Sequence, residues 1–308
     1  MARPMLLMGQ PLLAPLLPLL RADHDVIALW EAPSVGELMA VDALVWAGEF
    51  PLGPDLLDLL PRLSLIACFT VGYDGVDLAL ARDRGIAVTH AGNANAEDVA
   101  DHAIGLMIAH RRGIVTGDRD IRSGRWTIQS KTRTRSMAGA RLGIVGMGAI
   151  GLAVAERAQV MKMAVGWWGP REKPGLPWPR TWSLETLAQQ SDILLVACRA
   201  DDTNRGLIAG NVMDALGTDG LLVNVARGQF VNEIALIDAL RSGRLGGAAL
   251  DVFDPEPADP MRWRDVPNVV LTPHTGGATH EAVGRMAQML MANLSAHFAG
   301  RPLPCPVA

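Results

Sequence analysis

Leu142-Gly-Ile-Val-Gly146-Met-Gly148-Ala149-Ile150-Gly151 decides how the rest of the chain reads. An apolar run leads into glycines spaced G-x-G-x-x-G, and an Ala-rich helical segment follows from about Ala149. Each glycine answers a separate demand. Gly146 permits a tight turn out of the strand. Gly148 keeps a Cβ away from backbone that must approach a pyrophosphate, and Gly151 lets the helix pack closely on the strand. The first N–H groups of the helix and its positive dipole end face the phosphate. Another strand run, 163–168, arrives where a βαβ unit requires it. The stretch predicts a dinucleotide-binding turn.

That next strand ends in Trp167-Trp168-Gly169-Pro170-Arg171-Glu172-Lys173. A dinucleotide fold that takes NAD places Asp or Glu about here, to bind the adenosine ribose. The carboxylate position is empty and a basic residue lies just beyond it, the pattern that accommodates a 2′-phosphate. We therefore expect NADP(H) to be preferred over NAD(H). Pro170 shapes the turn without an N–H, Arg171 presents a planar fork to a phosphate, and Lys173 and Arg199 add positive charge nearby.

Outward from this turn, short apolar runs alternate with helical patterns, the signature of α/β units with parallel strands. Strands are expected at 141–146, 163–168, 192–197, 220–225, 248–251 and 268–271. An earlier series has runs at 5–8, 43–47, 65–69 and 87–89, with helical segments at 53–60 and 76–84. A long helix is expected from Glu97 to about Arg112, with Val99, Ala103, Leu106, Met107 and His110 on one face. A final helix spans about 279–299. We expect α/β architecture with two doubly wound domains: a substrate-binding domain from 1–98 with 285–308, and a dinucleotide-binding domain from 99–284.

Composition agrees. Length of 308 residues suits two domains, and 49% hydrophobic against 19% charged residues permits sizeable cores. Lys and Arg number 28 against 32 Asp and Glu, a net charge of −4, which gives no electrostatic case for nucleic acid. The basic stretch Arg119, Arg122, Arg125, Lys131, Arg133 and Arg135 reads as a solvated or subunit-contacting loop. Three cysteines are too few for a disulfide framework and show no metal-ligand spacing, so we expect no metal and a reducing, cytoplasmic setting. The apolar N-terminus is broken by Pro11, Pro15 and Pro18 and reads as strand and helix rather than a leader. No apolar stretch reaches the ~20 residues of a membrane span without Pro, Gly or charge. Cys305-Pro-Val-Ala308 formally matches a prenylation box, but Pro306 and the missing polybasic stretch argue against lipidation.

Three segments each follow a strand of the second series: Asn224-Val-Ala-Arg227-Gly, Asp251-Val-Phe-Asp-Pro-Glu256-Pro and Thr272-Pro-His274-Thr-Gly-Gly277. Ligands of open parallel sheets bind outside the carboxyl ends of the strands, so the three should converge. Arg227, Glu256 and His274 are the ingredients for reducing a carbonyl beside a carboxylate. Arginine clamps a carboxylate bidentately, and a histidine paired to glutamate is held as imidazolium, ready to donate a proton.

With these residues in place, the chain resembles the D-isomer-specific 2-hydroxyacid dehydrogenase family over almost its whole length. The resemblance also includes Thr70-Val71-Gly72-Tyr-Asp-Gly-Val-Asp77 and the segment 93–105 entering the long helix. Its glyoxylate and hydroxypyruvate reductases are the most similar branch, partly through the tail 301–307. The resemblance implies a Rossmann cofactor domain, a flavodoxin-like substrate domain, a cleft between them, and a homodimer contacted through the long helix and following arm. It implies Arg227 on the substrate carboxylate and carbonyl, His274 as acid/base supported by Glu256, main-chain groups of Val71 and Gly72 on the carboxylate, and Asp251 on the nicotinamide carboxamide. Cofactor contacts are implied at Gly146, Gly148, Ala149, Ile150, Gly151, Gly169, Pro170, Arg171, Cys198, Arg199, Ala226, Asp251, His274 and Gly276. Arg199 and Thr275 depart from common family residues. The leading expectation is an NADPH-preferring reductase of small 2-oxo acids to D-2-hydroxy acids. The alternatives are formate or phosphite oxidation, and a dinucleotide-sensing corepressor or scaffold without turnover. Glu256, where a formate enzyme of the family has Gln, and Val71, where a phosphite enzyme has Lys, argue against the first pair.

Overall fold

The computed structural model describes residues 3–130, 133–201 and 203–307. Lys131 of the basic stretch and Ala308 of the C-terminal tetrapeptide lie outside the described residues. The chain divides into one unit of Met1–Asn95 with His280–Ala308 and a second of Ala96–Thr279. The sequence placed these limits at 98/99 and 284/285. In the structure each long helix, Ala96–Arg111 and His280–Phe298, falls wholly within one unit.

The first unit is a parallel sheet of β1 (Met5–Met8), β2 (Asp25–Ala28), β3 (Ala43–Trp46), β4 (Leu65–Cys68) and β5 (Ala87–Thr89), in the order β2-β1-β3-β4-β5. That is the flavodoxin-like order. The strands β3 and β4 are buried throughout, as expected of parallel strands covered on both faces. Met286, Leu290 and Leu294 of the helix His280–Phe298 share a core with Leu6, Val45 and Leu65. The buried Asn293 on that helix gives its amide N–H to the His90 carbonyl and accepts from the Cys305 N–H, so the tail turns back. Val307 N–H then donates to the Val88 carbonyl, and the tail bridges β5 in antiparallel sense, covering an edge that would otherwise expose its ladder groups. Strand β2 was not expected: it has four residues, begins at an exposed Asp25, and shows no alternation.

The second unit holds β6 (Arg141–Val145), β7 (Ala164–Trp168), β8 (Ile193–Val196), β9 (Leu221–Asn224), β10 (Gly247–Leu250) and β11 (Val269–Leu271). Their order is β11-β10-β9-β8-β6-β7, all parallel. Beyond β7, Trp167 N–H donates to Pro179 O and Thr181 N–H to Trp167 O, a parallel bridge at Arg180. This short segment takes the place of the outermost strand in a Rossmann sheet, and the order in which strands are added switches sides between β6 and β8 while all stay parallel. The long helix formed at Ala96–Arg111 buries Val99, Ala103, Leu106 and Met107, the face the spacing predicted. Its first turn carries Glu97 and Asp98 and its last His110 and Arg111, matching the helix dipole. Glu97 and Asp101 on this helix pair with Arg157 on the helix Ala149–Val160. The basic stretch differs from expectation. Residues Ile114–Arg122 form a helix, entered through Gly113 at φ 60° and supported by an i,i+4 Asp118–Arg122 pair at 2.8 Å. Ile114, Val115 and Ile121 are exposed, as are Trp126 and Ile128 beyond it.

The dinucleotide turn shows why its glycines differ. Gly146 has φ 94°, and a Cβ there would lie 2.5 Å from the Cα of Cys198 at the end of β8. A Cβ on Gly151 would lie 2.2 Å from the Gly146 carbonyl oxygen. A Cβ on Gly148 would meet nothing within 4 Å. Gly151→Ala should therefore cost about 1–3 kcal/mol by overpacking. Gly148→Ala, with ordinary φ of −80°, should stay within about 0.5 kcal/mol of wild type. Urea unfolding of the ligand-free proteins checks both, and equal losses would contradict the geometry.

Candidate active site

The turns after β9, β10 and β11 are built against each other. The buried Asn224 side chain donates to Arg227 O at 2.8 Å and accepts from Ala226 N–H at 3.1 Å, closing the turn that presents Arg227. Gly228 is obligatory here, because a Cβ would lie 2.0 Å from the carbonyl of Phe253. The loop carrying Glu256 thus rests directly on the turn carrying Arg227. The buried Glu233 fastens that loop from the other side, accepting from Asp254 N–H at 2.8 Å and from Arg262 at 2.6 Å.

Glu256 and His274 meet at 2.7 Å, Oε2 to Nδ1, each about one-third exposed. The second oxygen of Glu256 accepts from Phe253 N–H at 2.9 Å. The hydrogen bond to Glu256 raises the His274 imidazole above its ordinary value; burial and the Arg227 charge oppose that, and the charges of Glu256 and Asp251 add to it. Burial alone would raise the Glu256 carboxyl. The hydrogen bonds from His274 and Phe253 and the charges of His274 and Arg227 outweigh it and hold the carboxyl low. The pairing favours imidazolium against carboxylate more than a free imidazole would, with Nε2–H left to act. The three residues singled out in the sequence are brought together.

His274 has φ 54°, a left-handed conformation unusual for a side-chain-bearing residue. Asp251, 2% exposed, holds it there. Its Oδ1 accepts from the Thr272 hydroxyl at 2.6 Å and Thr275 N–H at 2.9 Å, and its Oδ2 from Gly276 N–H at 2.8 Å. Its own carbonyl accepts from His274 N–H at 2.8 Å. Burial would raise the Asp251 carboxyl, but these donors and His102 bring it below the ordinary value. Gly276 packs so closely that a Cβ would lie 2.9 Å from Asp251 Oδ2. Asp251 entered the sequence reading as a cofactor contact. Its part in shaping the His274 turn was not visible there.

The residues proposed for a dinucleotide fit one. Helix Ala149–Val160 begins at Gly148 with no side-chain cap, so Ala149 and Ile150 lie where first-turn N–H groups are open. The open space beside Gly148 is the cradle that a Cβ would fill. Ala226, buried, follows β9, and Cys198 follows β8, its thiol pushed up to about 12 chiefly by burial. Gly169 follows β7, and Arg180 grips its carbonyl from Nη2 at 2.8 Å while lying over the Trp167 ring. Glu172 pairs with Arg180 at 3.6 Å, not with its neighbour Arg171. Arg171 is exposed, and no hydrogen bond or ion pair joins it to the described residues. Lys173 is used otherwise than expected: its ammonium donates to Met147 O at 2.6 Å, inside the glycine turn. Arg199 is exposed, and its carbonyl accepts from Asn204. Arg180 was missed because nothing in its spacing marks a return to the edge of β7.

In the first unit, the loop after β4 carries Val71 and Gly72. The Thr70 hydroxyl accepts from Gly48 N–H and donates to Gly72 O, both at 2.9 Å. His90 Nδ1 lies 3.2 Å from Val71 O, and its ring meets Tyr73 edge-on. Burial and the charges of Glu49 and Asp74 push the Cys68 thiol beside this loop up to about 12.

Among the described residues, no helix is long and apolar enough to cross a membrane. Residues 104–276 match the family described as D-isomer specific 2-hydroxyacid dehydrogenase, NAD binding domain. Glyoxylate/hydroxypyruvate reductase A of Arabidopsis thaliana is 39% identical over 293 residues, 94% of each chain. Hydroxyphenylpyruvate reductase of Plectranthus scutellarioides is 41% identical over 283 residues, 90% of each. The structure of NADPH-dependent glyoxylate/hydroxypyruvate reductase from Sinorhizobium meliloti, in complex with NADP and malonate, has a TM-score of 0.93 at 32% identity, covering 100% of this chain and 97% of that one. With its nicotinamide-dinucleotide turn and its Arg–Glu–His constellation, the chain belongs to the D-isomer-specific 2-hydroxyacid dehydrogenase family, a family of oxidoreductases.

Proposed function

We propose that this protein reduces small 2-oxo acids of the glyoxylate and hydroxypyruvate type to D-2-hydroxy acids, with NADPH preferred. The observation that carries the reaction is the 2.7 Å Glu256–His274 pair within reach of the Arg227 charge. The nicotinamide cofactor, when bound, supplies a hydride to the carbonyl carbon. Arg227 holds the substrate carboxylate and polarises its carbonyl. His274 gives the Nε2 proton to the carbonyl oxygen, so the products are the hydroxy acid and a neutral imidazole that solvent reprotonates. The loop at Val71 and Gly72 is proposed to offer main-chain groups to the carboxylate. Asp251 Oδ2, with Gly276 as its donor, keeps a lone pair for the nicotinamide carboxamide. We assign the unit Ala96–Thr279 to the dinucleotide and the other to the substrate. A homodimer in the cytoplasm belongs to the same reading.

Turnover of glyoxylate and hydroxypyruvate with both cofactors tests the proposal. A protein that binds dinucleotide without turning over any 2-oxo acid would favour the sensing alternative. In the reductive direction, activity should fall as pH rises through the raised pKa of His274. Glu256→Gln removes the partner that raises it, so the alkaline limb should move to lower pH. His274→Ala should lose on the order of 10²–10⁴ in turnover. An unchanged pH profile in Glu256→Gln would remove that residue from the dyad.

Cofactor preference rests on Arg171, which no neighbouring carboxylate neutralises among the described residues. A charge-assisted hydrogen bond is worth about 1.5–3 kcal/mol, so kcat/KM for NADPH should exceed that for NADH by at least roughly tenfold. Arg171→Ala should erase most of the gap through the KM for NADPH, and a preference for NADH would show the site misplaced.

Substrate size rests on the first-unit loop. Residues 70–75 contain no Lys or Arg, and the charges of Glu49 and Asp74 reach that loop at Cys68. A second anionic group would find no countercharge in this loop. Competition assays should show poor use of phosphohydroxypyruvate beside hydroxypyruvate, and the reverse ranking would overturn this reading.

A further inference from the structure

His102 sits in the middle of the long helix Ala96–Arg111, away from the three turns in sequence, yet its ring reaches them. Its Nε2 lies 2.9 Å from the Thr272 hydroxyl oxygen and 3.2 Å from Asp251 Oδ1. The direction of each bond follows from the proton inventory. A hydroxyl has one proton, and Thr272 spends it on the carboxylate at 2.6 Å. Its oxygen must then accept from His102, so the Nε2 of His102 carries a hydrogen shared between the hydroxyl and the carboxylate. The ring also sits over the turn itself, since a Cβ on Gly276 would lie 3.3 Å from its Cδ2.

This contact joins a rigid helix to a strained catalytic turn. Thr272, Thr275 and Gly276 flank His274 on both sides, and all three donate to the same carboxylate. His274 keeps φ 54° only while that carboxylate stays where its donors need it. Asp251 is 2% exposed and cannot recruit water in place of a lost donor. We propose that His102 is a positioning residue for the reaction: by donating Nε2–H to Thr272 and Asp251 it fixes the turn that aims His274 at Glu256 and the substrate. This rests on the reading of His274 as proton donor. It adds the helix Ala96–Arg111 to the parts on which catalysis depends.

The test compares His102→Leu with His102→Gln, whose amide N–H reaches about as far as the imidazole Nε2–H. Two readouts are needed. The first is steady-state reduction of glyoxylate at saturating NADPH. The second is the titration of His274 in ligand-free, isotope-labelled protein by NMR, its resonance assigned from His274→Ala. His102→Leu should lower kcat by roughly tenfold to a hundredfold, as expected when a catalytic group is displaced by about an ångström, with little change in the KM for glyoxylate. The His274 titration should slip back toward an ordinary histidine as its pairing with Glu256 loosens. His102→Gln should restore both. Thr272→Val removes the bridging hydroxyl without touching the helix and should reproduce the losses if His102→Leu does not fold. Wild-type kcat and an unmoved His274 titration in His102→Leu, or in Thr272→Val, would overturn the proposal. So would equal impairment of the Leu and Gln variants. The NMR arm needs no turnover, so it reports on His102 even if glyoxylate proves not to be a substrate.

Discussion

A carboxylate buried to 2% exposure has to be surrounded by donors, and three of the donors to Asp251 are residues on either side of His274. Desolvation makes a buried charge costly, and each hydrogen bond to it returns part of that cost. The chain uses this necessity as a construction device. β10 ends at Leu250, so Asp251 is the first residue beyond the sheet. The chain after β11 is drawn around it, and the left-handed conformation of His274 is what remains once Thr272, Thr275 and Gly276 have all reached the same two oxygens. An unusual backbone angle at an active site is thereby explained by ordinary electrostatics one residue removed.

The turn of Arg227 and the loop of Glu256 obey a steric constraint of comparable force. Gly228 lets the two backbones touch where any side chain would overlap Phe253. Glu233 and Arg262 then clamp the loop from the far side. His274, its partner Glu256 and Arg227 are thus fixed by backbone contact and buried hydrogen bonds, which suits the proposed roles, in which these groups keep their geometry while charge moves.

Legibility in the sequence followed the strength of the local signal. The buried strands β3, β4, β8 and β9 are short apolar runs, and Gly146–Gly151 carries a separate steric reason at each glycine, so both could be read directly. Arg227, Glu256 and His274 were legible because each follows a strand at the end where an open sheet binds ligands. Strand β2 was not, since an edge strand of four residues that starts at Asp25 has no pattern of its own. The helix Ile114–Arg122 was read as loop because its charged residues drew the reading, although Ile114, Val115 and Ile121 recur at helical spacing on a face that none of its residues buries. His102 and Arg180 were illegible for a different reason. Their partners lie 170 and 11 residues away, and only tertiary structure brings a mid-helix histidine to Thr272 or returns an arginine to the edge of β7.

The two ends of the dinucleotide region show how the placement of carboxylates, rather than the count of charges, sets chemistry. At the His274 end, Glu256 and Asp251 face an imidazole and favour its charged form. At the β7 end no carboxylate stands where the ribose-binding residue of an NAD fold would be, and the acid that does follow, Glu172, is turned toward Arg180. Arg180 in turn spends its donors on the Gly169 carbonyl and stacks on Trp167. Two basic residues therefore lie near one acid, but only one of them is satisfied by it. Lys173 is withdrawn into the glycine turn through Met147 O. The positive charge left facing solvent after Gly169 and Pro170 is Arg171, held on a turn that the neighbouring contacts keep in shape. Under the proposed preference for NADPH, a guanidinium with unused planar donors on this turn is what a 2′-phosphate would engage and a bare ribose would not.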